Sequence, residues 1–332
     1  MTKTSYFPPM HRITFLVYPG FELLDTSGPV SVFNSANRAL GLRDKPPFYA
    51  IDLVSAAGGQ VTSSSGIAVH TQTFEERAHD AVDTFLIAGA ESEHLLPVLA
   101  DPALSAWVPE IAGKAQRFGS VCSGVIVLAK LGLVDGRRVA THWDACAPLA
   151  AGFPSVTVDP ESLYVTDGQL WTSAGVTTGI DMALAMVAHD LSADIAGEVA
   201  QRLVLYARRP GYQSQFSPLL RAQVNADSPF AELIAWILAN LDSPLDIPAL
   251  ADRTGFSERT FHRKFVAATG ETPARFIETA RLDAARLLIC RGLSLKSVAA
   301  QVGLSPATRF SKAFERRFGV SPRLFREMHG EI

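Results

Sequence analysis

A segment near the C-terminal end is written twice, and this repetition constrains the fold more than any other feature. The first copy runs from Ile247 to Ser257 and continues through Phe261, Phe265, Gly270, Pro273 and Phe276. The second runs from Leu295 to Ser305 and continues through Phe310, Phe314, Gly319, Pro322 and Phe325. The interval is 48 residues up to the serine and 49 beyond it, so one residue is added just past Ser305 and the pattern then resumes in register. Each copy predicts a short helix, a turn at Gly255 or Gly303, and a second helix capped by Ser257 or Ser305. That is helix-turn-helix spacing, and two such units in tandem bear directly on what the chain binds.

Phe261 and Phe265 lie four apart and share the buried face of the first unit's second helix. The opposite face then carries Arg259, His262 and Arg263. By the same reasoning, burial of Phe310 and Phe314 exposes Thr308, Ser311 and Lys312. Arg and Lys pair with guanine edges, and Thr and Ser exchange hydrogen bonds with several bases. For one unit alone, a merely solvated helix face is an equal alternative. Two units in register favour double-stranded DNA as the partner. Charge agrees: residues 230–332 hold 15 Lys and Arg against 11 Asp and Glu, whereas residues 1–229 hold 15 against 22. An acidic body joined to a basic tail brings only the tail to nucleic acid.

At 332 residues the chain is long enough for two cores. It has no apolar run of the roughly 18 residues a membrane span needs, and residues 1–9 lack an apolar signal-peptide core. A cytoplasmic location without membrane contact is expected. Cys122, Cys146 and Cys290 show no CxxC spacing, so neither a disulfide framework nor a metal is expected, and no cofactor is implied.

Ahead of the repeats, strands and helices alternate. Ile13 to Tyr18, Phe48 to Ser55 and Thr84 to Gly89 read as strands, and Gly119 to Cys122 leads from a strand into an apolar helix from Val125. Ser27 reads as a helix cap with Pro29 in the first turn. Ser162 to Trp171 reads as a hairpin around Asp167 and Gly168. Residues 179–207 read as helix with a break near Ser192. This order predicts a mostly parallel sheet covered on both faces. The stretch from Arg208 carries two prolines and little periodicity and reads as a linker. Every segment beyond Phe230 has helical period.

Cys122 stands in Ser120-Val-Cys-Ser-Gly124, between a strand and an apolar helix. Small residues there allow the sharp turn that presents a nucleophile, and a helix start lowers a thiol pKa. His142 follows the next strand and Asp25 lies in the loop after the first. Cys, His and an acid have the makings of an activated nucleophile. The other reading is a buried small hydrophobe beside an unrelated loop histidine.

The repeat region resembles the AraC/XylS family of transcription regulators from Phe230 to about Met328. It matches in Ala251 to Ser257 and in Phe314 to Arg326. That resemblance implies seven helices, two readers set in successive major-groove turns, and base contacts from Arg259, His262, Arg263, Thr308, Ser311 and Lys312. Residues 17–29, 85–90, 120–124 and 135–143 resemble the ThiJ/PfpI domain of the class I glutamine amidotransferase-like superfamily. Thr172 to Val176 and Arg208 to Ser217 match regulators that fuse the two. The resemblance implies a flavodoxin-like amidotransferase fold with Cys122 as elbow cysteine, Asp25 as neighbouring acid and His142 as possible base. Gly89, Ala90 and Ser123 would line the pocket.

The expectation is therefore an α/β effector-binding and dimerisation domain over 10–208, a linker over 209–228, and an all-α double helix-turn-helix domain over 229–328. Such a chain is expected to be a sequence-specific regulator, an activator, that binds promoter or operator DNA and a small nitrogenous effector. It would act as a homodimer, with RNA polymerase as a further partner. No catalysis is expected. The competing class is a cysteine-dependent hydrolase or hydratase tethered to a DNA-binding domain, and a third is a thiol redox sensor.

Overall fold

Strand pairing in the first part places the loop ends that matter at one edge of a sheet. The strands are β1 (His11–Leu16), β2 (Tyr49–Val54), β3 (Gly59–Thr62), β4 (Ala68–Thr71), β5 (Thr84–Ile87), β6 (Arg117–Val121), β7 (Arg138–Val139), β8 (Thr157–Val158), β9 (Tyr164–Asp167) and β10 (Leu170–Ser173). The main sheet has the order β2-β1-β5-β6-β10-β9. Its first five strands pair in parallel, and β9 runs antiparallel to β10 at the edge. The computed structural model describes residues 10–77, 82–205, 209, 211, 230–318 and 320–329. The chain divides into two compact units, residues 1–215 and 216–332.

The pleat explains why the inner strands are apolar throughout. Ile13, Phe15 and Leu86 point to one face, where Val32, Phe33, Met182, Val187 and Val199 cover them. Leu16, Phe85 and Ile87 point to the other, under Val98, Val108, Val125 and Leu128. Both faces are buried by helices. Leu23–Gly41, Thr178–Asp190 and Ala193–Arg202 lie on the first face, and Ser92–Ala100, Pro102–Lys114 and Val125–Lys130 on the second. Ser192 caps Ala193–Arg202 by accepting from the Ile195 N–H at 3.2 Å, which is the expected break in the last helical stretch.

Local readings differ in places. The first helix starts at Leu23, not Ser27, with the Glu22 carboxylate accepting from the Leu24 N–H at 3.3 Å. Pro29 therefore lies inside the helix, and Asp25 sits in its first turn instead of a preceding loop. The hairpin β3-β4 and the helices Ser92–Ala100 and Pro102–Lys114 were not legible in the sequence. Of the expected linker, 209–228, only Arg209 and Gly211 are among the described residues. Both are held by the first unit. Arg209 donates from its backbone N–H and its Nε to the two carboxylate oxygens of buried Asp181, at 3.0 and 2.9 Å. The Gly211 carbonyl accepts from the Leu163 N–H at 2.6 Å.

The second unit is helical throughout its described residues. Phe230–Ala239 precedes the first helix-turn-helix, Ile247–Arg253 and Glu258–Thr269. Pro273–Cys290 connects it to the second, Leu295–Gln301 and Ala307–Phe318, and Pro322–His329 follows. The turns pass through Gly255 at φ 70° and Gly303 at φ 65°, where a side chain would be strained. The leading helices are capped in register, Asp246 accepting from Ala249 at 2.9 Å and Ser294 from Ser297 at 3.2 Å. The serines expected to cap the second helices do not. Ser257 holds the cap position, but its hydroxyl bonds Thr260 Oγ1 at 3.1 Å. Ser305 is displaced from the helix by Pro306, the added residue, whose carbonyl accepts from the Phe310 N–H at 3.2 Å. That insertion is the 48-to-49 change of interval.

Candidate functional site

The end of β6 turns sharply at Cys122, whose φ is 58°. A non-glycine residue in that region is held there only by its surroundings, and here glycines provide the room. A Cβ added at Gly175 would lie 2.3 Å from Cys122 Cβ and 2.7 Å from its sulfur. One at Gly89 would lie 2.6 Å from Cys122 Cβ and 2.9 Å from an Asp25 oxygen. Asp25 is fully buried between these loops. It accepts from the Gly89 N–H at 3.0 Å and from the Val176 N–H at 2.7 Å. Val176 itself has φ 51°, rare for a β-branched residue. One carboxylate thus ties the loop after β5 to the loop after β10, and both press on Cys122.

The electrostatics oppose the expected activation. Burial and the neighbouring Asp25 push the Cys122 thiol up to about 12, although the Ser123 backbone N–H bonds its sulfur. The helix start cannot offset this, because it is a single tight turn, Cys122–Gly124, followed by the short helix Val125–Lys130. Burial likewise raises Asp25 to about 7, against the opposing pull of the Val176 and Gly89 N–H groups and the Cys122 thiol. Tyr18, which donates to the Ala88 carbonyl at 2.7 Å, is also raised by burial.

Nearby backbone donors are engaged within the protein. The Ala90 N–H donates to Ser123 Oγ at 2.9 Å, and that hydroxyl donates to the Ala90 carbonyl at 2.7 Å. With the Gly89 N–H held by Asp25, neither donor of this loop is open to an oxyanion. Asp25, Gly89, Ala90, Cys122 and Ser123 therefore come together. His142 does not join them. It is half-buried at the start of helix Trp143–Gly152, its ring 5.4 Å from that of Trp143. Among the described residues it makes no hydrogen bond to Cys122 or Asp25. The neighbouring Thr141 hydroxyl, instead, donates to the Cys122 carbonyl at 3.0 Å. Gly175 and Val176 are site residues that sequence spacing missed. Their only signal was the Ser173-Ala-Gly-Val stretch, which gains meaning from contacts across more than 50 residues of chain.

The reading helices behave differently. Phe261, Phe265, Phe310 and Phe314 are fully buried. Arg259, His262 and Arg263 are exposed, as are Thr308 and Lys312. Ser311 is half-buried, because it lies one residue past Phe310 and turns only part of the way out of the core. Two other cations rest on rings, Arg253 over Trp236 at 4.0 Å and Lys264 over Phe256 at 4.4 Å.

Comparison with known proteins now assigns both units. The DJ-1/PfpI family matches residues 11–189, more than half of the chain. The chain belongs to the DJ-1/PfpI family. A helix-turn-helix domain of AraC type matches residues 250–328. The HTH-type transcriptional regulator CdhR of Pseudomonas aeruginosa is 30% identical over 309 residues, which cover 93% of this chain and 89% of that one. GlxA of Rhizobium meliloti, also an HTH-type transcriptional regulator, is 30% identical over 335 residues, covering 99% and 100%. The chain also resembles the isonitrile hydratase of Pseudomonas putida, 31% identical over 204 residues, 61% of this chain and 82% of that one. Among solved structures, a THiJ/PfpI family protein from Pseudomonas syringae superposes with a TM-score of 0.54 at 27% identity, covering 68% of this chain and 87% of that one. The two regulators cover more than nine-tenths of this chain, whereas the hydratase covers 61% of it.

Proposed function

We propose that this chain is a sequence-specific DNA-binding transcriptional regulator whose DJ-1/PfpI unit binds a small effector instead of transforming one. The carrying observation is the pair of repeated helices that bury phenylalanines on one face and leave Arg259, His262, Arg263, Thr308 and Lys312 exposed on the other. Kinship with two full-length regulators supports the same reading. Pocket chemistry supports a sensor: the thiol is held protonated, no histidine among the described residues bonds it, and the Gly89 and Ala90 donors are engaged. In this reading the effector is a small nitrogenous metabolite, the first unit dimerises, and the chain activates transcription in the cytoplasm with RNA polymerase as a further partner. Among the described residues no single helix is long and apolar enough to cross a membrane.

Two assays test this reading. Selection of duplexes from a randomised pool should enrich one sequence, and a thermal-shift screen of amino acids, betaines and polyamines should raise the Tm with at least one of them. Failure to enrich any sequence rejects the regulator. One observation favours the enzyme reading, the likeness to an isonitrile hydratase. Turnover of an isonitrile by the wild type, lost in Cys122→Ser, would establish it.

A further inference from the structure

Beside the second reader runs a groove of roughly 1000 Å³, floored by the connecting helix Pro273–Cys290 and walled by the start of Ile247–Arg253 and one flank of Ala307–Phe318. Five arginines line it: Arg275, Arg281, Arg309, Arg316 and Arg317. Its two carboxylates are already engaged. Asp246 caps the Ala249 N–H at 2.9 Å, and Glu278 accepts from Arg316 at 2.6 Å. Arg281 is engaged too, donating through Nε to the Leu241 carbonyl at 3.0 Å and through Nη2 to the Ser243 carbonyl at 2.8 Å. It fits there because Gly303 has no side chain; a Cβ at that turn would lie 2.8 Å from Arg281 Nη2.

Two cations remain. Arg275 and Arg309 are exposed, and among the described residues their side chains make no hydrogen bond or ion pair. Arg309 stands close enough to Arg281 that its charge, after burial, helps to hold Arg281 below the usual arginine pKa. Like charges gathered beside a groove, with the local carboxylates engaged, are complementary to an anion. The anion's form follows from position. Arg309 is next in sequence to Thr308 on the same first turn of the second reader, and Arg275 lies on the first turn of the helix joining both readers. A ligand touching both lies alongside the bases rather than on their edges.

We infer that this groove seats the phosphodiester backbone of the DNA alongside the second reading helix, with Arg309 and Arg275 as phosphate contacts. The inference rests on the DNA-binding reading and assigns these two arginines to position rather than to sequence. Arg281 acts through its carbonyl bonds to keep the groove's shape and touches no base.

The test is a salt titration of binding by wild type, Arg309→Gln, Arg275→Gln and the double variant. The probes are a duplex selected by the wild-type chain from a randomised pool and a scrambled duplex of the same length. Each neutralised phosphate contributes about 0.9 to the slope of log affinity against log salt. Each single variant should therefore lose about one unit of slope, and the double variant about two. Affinity should fall by the same factor on both duplexes, with base preference and Tm unchanged. An unchanged slope in both single variants overturns the inference, as does a loss confined to the selected duplex, which would make the arginines base readers. If the wild type binds neither duplex, the DNA-binding reading falls and the inference with it. Slope loss reproduced by inorganic phosphate competition at millimolar concentration, with no duplex dependence, would assign the groove to a small anion and overturn the inference as well.

Discussion

The Cys122 turn, the proposed effector pocket, and the reading helices are opposite uses of polar groups. In the pocket nearly every donor and acceptor near the cysteine answers to another part of the protein. Asp25 holds two backbone N–H groups, Ser123 holds both polar atoms of the Ala90 backbone, and Thr141 holds the Cys122 carbonyl. On the reading helices the phenylalanines do the folding, and Arg259, His262 and Arg263 stay in solvent. Substitutions that break those bonds or crowd the turn should therefore change stability, and substitutions on the readers should change binding alone.

The largest expected effect tests the pocket half of that contrast. Gly175 has φ 92°, and a Cβ there would meet Cys122 at 2.3 Å. Gly175→Ala should cost about 3–5 kcal/mol, from backbone strain together with overpacking. Gly197 is the control, because it lies inside helix Ala193–Arg202 with nothing within 4 Å of an added Cβ. Gly197→Ala should be neutral or stabilising by about 0.5–1 kcal/mol. Urea unfolding of both variants decides the matter. Equal midpoints would show that the tight packing around Cys122 does not hold.

These two glycines also mark how far sequence could see. The alternation of strands and helices, the hairpin at Gly168 and the break at Ser192 were legible because each is local. The repeat was legible because it recurs, and its one irregularity pointed to Pro306. Gly175 was not legible, because its role comes from Cys122, which precedes it by more than 50 residues and reaches it only through the pairing of β6 with β10. The thiol's expected activation failed for a related reason. A helix start was visible in the sequence, but the burial that outweighs it belongs to the assembled sheet edge.

Asp25 sharpens the comparison through pH. Its pKa is raised from 3.8 to about 7 by burial, so the folded state holds its proton more tightly than the unfolded chain. The associated stability is complete below about pH 4 and is lost as pH rises through 7. Relative to Asp25→Asn, the wild type should thus lose stability between pH 4 and 7, by at most on the order of 4 kcal/mol. Urea midpoints at pH 5 and pH 8 measure the gap between the two proteins. A gap that does not change with pH would show that this carboxyl does not titrate in the window.

The reader half predicts the reverse pattern. Arg263→Ala should leave the Tm unchanged and weaken binding by about 1–3 kcal/mol, with relaxed preference at one base position. A uniform loss across all sequences would move Arg263 to the phosphate contacts beside Arg309 and Arg275. A fall in Tm would break the comparison itself, since an exposed reader would then be helping to hold the fold.

The smallest expected effect is at the centre of the pocket. Cys122→Ser keeps the size and the turn while replacing a protonated thiol with a hydroxyl. Because the thiol's pKa is near 12, the wild type carries almost no thiolate at neutral pH, and the substitution removes little charge. The hydroxyl can still donate to Asp25 and accept from the Ser123 N–H, so stability should change by less than about 1 kcal/mol. If the pocket senses, the variant should still bind effector and still alter transcription from a reporter, with at most a shifted effector concentration. If the pocket catalyses, the response should vanish, because a hydroxyl is a far weaker nucleophile than a thiol and, among the described residues, no hydrogen bond joins His142 to this position. A reporter titration with whichever compound raises the Tm therefore separates the two classes by the presence or absence of a plateau. Loss of the plateau with Tm and DNA binding intact would overturn the sensor.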